Sequence, residues 1–183
     1  MRLDKPRVAP LSDDQIDPEI RERIGNTSLP ILNIFRTLAQ HPGLMKRWLV
    51  FGNHVLGKST LPAREREIAI LRIGVLCRAG YEWGQHVAIG KAVGLSDDEI
   101  ARIAQGPDVP GWGAADRALL RATDELHADA FISDATWAEL ASTLSTQQLM
   151  DLVFTVGQYN LVSMALNSFG VQPEPGLAPL PRA

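Results

Sequence analysis

The chain has 183 residues, 45% of them apolar and 21% charged, the make-up of one globular domain with a substantial core. Lys and Arg number 18 against 21 Asp and Glu, a net charge of −3 with no basic block, which gives phosphate-driven nucleic-acid binding little support. The single cysteine, Cys77, rules out an intrachain disulfide framework and a thiolate metal cage, and it fits a reducing, cytoplasmic address.

Residues 1–11 open polar, with Pro6 and Pro10 and no apolar signal-peptide core, and read as an extended tail. From there the punctuation is helical. Ser12-Asp13-Asp14-Gln15, Ser96-Asp97-Asp98-Glu99 and Ser145-Thr146-Gln147-Gln148 each match a capping box, in which the hydroxyl and the side chain three residues on satisfy orphan amides reciprocally. Pro62 suits the first turn of the helix that follows it, and Gly94 reads as a helix stop before the cap at Ser96. Apolar residues recur at steps of three and four: Ile68, Leu71, Val75; Leu119, Ala122, Leu126; Leu149, Leu152, Val153, Val156. Helical segments are predicted near 19–25, 30–40, 42–56, 62–78, 81–94, 96–105, 114–129, 134–143 and 146–168, about seven of them full helices.

Strand and hairpin signals are poor, so the fold class is all-α, a single domain over 1–183. The stretch Leu149 to Leu166 is the most apolar, but Asp151, Gln158 and Asn160 interrupt it, and no membrane span is expected. Residues 172–183 carry Pro173, Pro175, Pro179 and Pro181 and are expected to be extended, either free or lying across a neighbouring subunit.

The densest polar group lies in Glu67 and then Cys77-Arg78-Ala79-Gly80-Tyr81-Glu82-Trp83-Gly84-Gln85-His86. Ala79-Gly80 breaks the apolar pattern, which predicts a helix end followed by a new helix from about Tyr81. Glu82 and His86 then share a face at i,i+4. A carboxylate beside an imidazole raises the histidine pKa and orients the ring, a pair suited to acid–base work near neutral pH. Glu67 reaches the same place if the two helices form an antiparallel hairpin. Together the three side chains could also ligate a divalent ion, although a solvated surface pair is the commoner use of the Glu82–His86 spacing. His41 reads as a turn residue, His54 as a surface or cap residue, and Asp124 with His127 as too small a set to hold a metal.

The run 65–72, then Tyr81-Glu82-Trp83-Gly84-Gln85-His86 and Gly90, Gly94-Leu95-Ser96, resembles the carboxymuconolactone decarboxylase/AhpD-like family. The resemblance is densest over 62–105, and Trp137, Leu149 to Val153 and Tyr159-Asn160 are similar to longer members. It implies a central helical hairpin, a homotrimer or homohexamer, a small-molecule substrate, and neither a metal nor another cofactor. In redox members a glutamate, a Cys-x-x-Cys pair and a histidine carry the activity. These fall on Glu67, on Ala79 and Glu82, and on His86, so both sulfur positions are lost. A peroxidase would then have to use Cys77 with an external thiol. The decarboxylase branch implies a lyase or isomerase acting on a small lactone or organic acid. For it, His86 moves the proton, Glu82 and Glu67 tune it, Tyr81 donates to an oxyanion, and Arg72, Arg78 and Trp83 hold the substrate. A third reading keeps the fold as a non-catalytic binding or assembly protein.

Overall fold

A computed structural model describes residues 2–24 and 30–181. Among these residues the chain is helical throughout, with no strand. A 3₁₀ turn at Asp13–Gln15 leads into α1 (Pro18–Ile24), α2 (Asn33–Leu38), α3 (Pro42–Gly57), α4 (Ala63–Leu76), α5 (Gly80–Ala92), α6 (Asp97–Gln105), α7 (Ala114–Asp129), α8 (Asp134–Ala141) and α9 (Thr146–Phe169). All nine predicted segments are present, and the all-α expectation holds. The second is shorter than its predicted span of 30–40: Leu32 is extended at ψ 148° and caps a helix that starts at Asn33 and ends at Leu38. Residue 25, the predicted end of the first, lies outside the described residues.

The capping boxes at Ser96 and Ser145 set the starts of α6 and α9: each hydroxyl accepts from the amide three residues on, and Glu99 and Gln148 reach back. At Ser12 the same motif closes only one 3₁₀ turn. Gln15 Oε1 accepts from the Ser12 amide, but Ile16 is extended, and Pro18 restricts Asp17 immediately afterwards.

The centre of the protein is α4. Eight consecutive residues, Glu67 to Gly74, are buried, as expected of a helix surrounded on all sides. It packs against α5, α7 and α9 and touches α6. The main core gathers Ile68, Ile70, Leu71 and Ile73 with Leu119, Leu120, Leu152 and Val156. A second cluster joins the N-terminal segment to α3 through Ile16, Ile20, Met45 and Leu49. A third links Tyr81 to Val162, Leu166 and Val171.

Between these clusters, α2, α3, α5 and α9 meet without filling the space between them. By length and composition α9 is able to cross a membrane, but half of its most apolar stretch is buried inside the protein. Its Asp151 is also used internally, accepting from the amide and hydroxyl of Thr60.

The segment after α9 is extended, as its prolines require, and it folds back on its own chain. Leu177 and the Ala178 carbonyl lie over α5 at Gly84. A Cβ at that glycine would stand 2.9 Å from Leu177 Cβ and 3.1 Å from Ala178 O, so only glycine lets the tail lie this close.

Candidate active site

Helices α4 and α5 form a tight hairpin. Cys77 caps α4, Arg78 takes a left-handed conformation at φ 52°, and α5 starts at Gly80. This reversal brings Glu67, early in α4, alongside His86 in α5, although nineteen residues separate them in the chain. His86 Nδ1 lies 2.6 Å from Glu67 Oε2, and Nε2 lies 3.1 Å from Glu82 Oε1. All three side chains are buried. The expected meeting of Glu67, Glu82 and His86 therefore occurs, with the imidazole held between two carboxylates.

Burial alone would lower the His86 pKa. The bonds to Glu67 and Glu82 outweigh it and raise the value to about 9, so the ring is an imidazolium at neutral pH. Behind Glu67, Arg66 Nε stands 3.9 Å from Oε1. That distance is too long for a hydrogen bond, and both atoms are buried without a partner among the described residues.

A cavity of about 140 Å³ opens beside His86 and Glu82. Leu32, Phe35, Trp48, Leu56, Ile89 and Val162 supply much of its apolar wall, with Asn53, Gln85, Gln158 and Tyr159 as polar points. Tyr159 sets its ring edge-on to His86, with centroids 4.9 Å apart and planes at 86°. Burial, together with the nearby Glu82 and Glu67, holds the Tyr159 phenol well above its ordinary pKa. Sequence reasoning did not place Tyr159, Gln158, Trp48 or Asn53 at the site. The available signal was Gln158-Tyr159, a polar pair inside an otherwise apolar helix.

Four expectations need correction. Tyr81 lines the cavity, but its hydroxyl donates to Glu174 Oε1 at 3.0 Å and accepts from the Ile34 amide at 3.3 Å, so its proton is committed to the tail and not to an oxyanion. Burial and the Glu174 carboxylate also push that phenol far above its usual range. Arg72 is engaged by both oxygens of Asp124, at 2.6 and 2.8 Å, and by the carbonyls of Ile103 and Ala104 at the end of α6. It ties α4 to α6 and α7, and no carboxylate ligand can claim it. Arg78 is exposed on the hairpin turn and Trp83 is buried in the main core, and neither lines the cavity.

Cys77 also lies outside the cavity lining. Its thiol is 3.0 Å from Asn160 Oδ1 and 3.9 Å from His127 Nδ1. Burial pushes its pKa up, the opposite of what a peroxide-attacking thiolate requires. His41 caps α3, its ring accepting from the Leu44 amide, and His54 is exposed beside Asp151.

A comparison with curated proteins found no match to this sequence. Solved structures share the fold. An uncharacterized peroxidase-related protein with an alkylhydroperoxidase AhpD core, from Ralstonia eutropha JMP134, superposes with a TM-score of 0.79 at 18% identity, covering 92% of each chain. A peroxidase-related protein from Silicibacter sp. TM1040 gives 0.73 at 19% identity, covering 95% of this chain and 92% of its own. The debrominase Bmp8, in complex with 2,3,4-tribromopyrrole, gives 0.73 at 15% identity, covering 92% of this chain and 91% of its own. Residues 42–125 match the profile of the carboxymuconolactone decarboxylase family, and this span holds α3 to α6, most of α7 and the whole Glu67–His86–Glu82 group. Residues 42–125 thus match the carboxymuconolactone decarboxylase family, and the chain as a whole shares the fold of the AhpD-core structures.

Proposed function

We propose that this protein is a proton-transfer enzyme, a cytoplasmic lyase or isomerase of the carboxymuconolactone decarboxylase type acting on a small lactone or organic acid. The observation that carries the reading is the imidazolium of His86, held between Glu67 and Glu82 at the wall of a largely apolar cavity. Catalysis of this kind needs a base to remove a proton from carbon and an acid or cation beside the oxygen that gains charge. Glu82, at the cavity wall, is the base. His86 supplies the positive charge, and Glu67 fixes the ring from behind. The tribromopyrrole bound by the debrominase is a precedent for a small ring in this fold.

The test is turnover of a panel of lactones, keto acids and enols by wild type and by His86→Asn, with circular dichroism as a check on folding. Loss of an acid–base residue costs about 10²–10⁴-fold, and a drop of that size in a folded variant is the expected result. Unchanged turnover would remove His86 from the chemistry.

The assembly we propose is a homo-oligomer, a trimer or hexamer, joined through the outer face of α9. Met150, Phe154, Leu161 and Met164 are exposed there, each more than half accessible. With Gly157 they follow one another at steps of four, three, four and three residues, the spacing of a coiled-coil seam.

A further inference from the structure

We infer that the cavity beside His86 takes an uncharged, single-ring carbonyl compound and excludes carboxylates. This rests on the acid–base reading above and narrows it. Loss of carbon dioxide needs a carboxylate substrate, whereas a proton shift does not.

Charge is the first argument. Among the described residues no Lys or Arg lines the cavity, and His86 is the only cation at its wall. That imidazolium already has a carboxylate at each nitrogen, Glu67 at Nδ1 and Glu82 at Nε2, so neither N–H is left for a ligand carboxylate. Arg66 faces Glu67 from behind and is not part of the lining, and Arg72 is held by Asp124.

A third carboxylate adds to the negative side. Glu174, from the tail, accepts from Tyr81 at 3.0 Å and from Gln85 Nε2 at 2.6 Å, and both donors are cavity residues. An anion entering this cavity would meet Glu82 at the wall, with Glu174 behind Tyr81 and Gln85, and no free cation among the described residues to offset its desolvation.

Size and polarity are the second argument. A dry cavity of roughly 150 Å³ accepts benzene, and this one measures about 140 Å³ with a largely apolar wall. The amides of Asn53 and Gln158 and the hydroxyl of Tyr159 are the polar points left to orient a carbonyl or ring heteroatom.

The reaction that fits is a proton shift. Glu82 takes a proton from a carbon activated by the carbonyl, and the C–H electron pair enters a new double bond while negative charge builds on oxygen beside His86. The same proton then returns to another carbon of that conjugated unit, so no atom is gained or lost.

Two matched probe pairs test the ligand class: butenolide against furoate, and benzamide against benzoate. Binding is read by ligand-observed NMR titration and by thermal shift. The neutral member of each pair is expected to bind at least tenfold more tightly. Glu82→Gln, or Glu174→Gln should the first variant fold poorly, is expected to narrow that ratio. Carboxylates binding as tightly as their neutral partners, or neutral probes failing to bind, would overturn the inference. A separate arm follows exchange of the acidic ring protons of butenolide in deuterated water. Exchange that disappears in His86→Asn supports the proton shift. Preferential binding of the neutral probes without exchange overturns the proton chemistry while upholding the ligand class.

Discussion

His86 is a cation enclosed by protein, and its charge couples the site to the stability of the fold. In the unfolded chain a histidine titrates near 6.5, and here it is raised to about 9. Between those values the folded state holds one proton more than the unfolded state. The stabilisation from His86 is therefore complete below about pH 6.5 and is lost as pH rises through about 9. Stability should fall across that window with a slope of up to about 1.4 kcal/mol per pH unit. In His86→Asn this part of the slope should be absent, which urea melts at a series of pH values will show. The groups facing the ring are Glu67, Glu82 and Tyr159, with Arg66 behind Glu67.

What could be read at this scale depended on distance along the chain. The Glu82–His86 pair followed from one helical turn, and Glu67 from the hairpin that Ala79-Gly80 announced. The fate of Arg72 depended on Asp124, 52 residues later, and that of Tyr81 on Glu174, 93 residues later. No local pattern specifies such partners.

The helix starts were the most legible elements, because a cap is a local chemical event. Ser96 and Ser145 marked α6 and α9 directly. Ser12 shows the limit: a motif can be present while the next residues refuse the helix. The tail was legible only as extended chain, since nothing in its prolines told where it would dock. Its place on α5 makes a prediction at this level. Gly84→Ala puts a methyl group against Leu177 and the Ala178 carbonyl, and should destabilise the fold by about 1–3 kcal/mol. The same substitution in a chain ending at Val171 should cost less than about 0.5 kcal/mol, because the tail it strikes is absent. A double-mutant cycle by chemical denaturation measures the difference, and equal costs in the two backgrounds would show that the contact carries no energy.

For the whole molecule, the unfinished surface is the outer side of α9, together with Phe51 of α3, whose ring meets Phe154 edge-on with centroids 6.0 Å apart. A protein with a core already built around α4 has no internal use for that stripe. Phe154→Glu with Leu161→Glu should convert an oligomer to a monomer in sedimentation analysis, with helicity retained. A wild type that already sediments as a monomer would refute the assembly. The stripe was legible as an apolar helix, but the separation of its buried side from its exposed side needed the fold.

The docked tail also has a consequence for how the protein is made. Glu174 is synthesised 93 residues after Tyr81, a gap of about 5–20 s at ordinary translation rates. Until Glu174 arrives, the Tyr81 hydroxyl proton and the Gln85 amide are left to bond with water. The Glu67–His86–Glu82 group thus lies in a hairpin that is made early, and the carboxylate that engages Tyr81 and Gln85 beside it is added late.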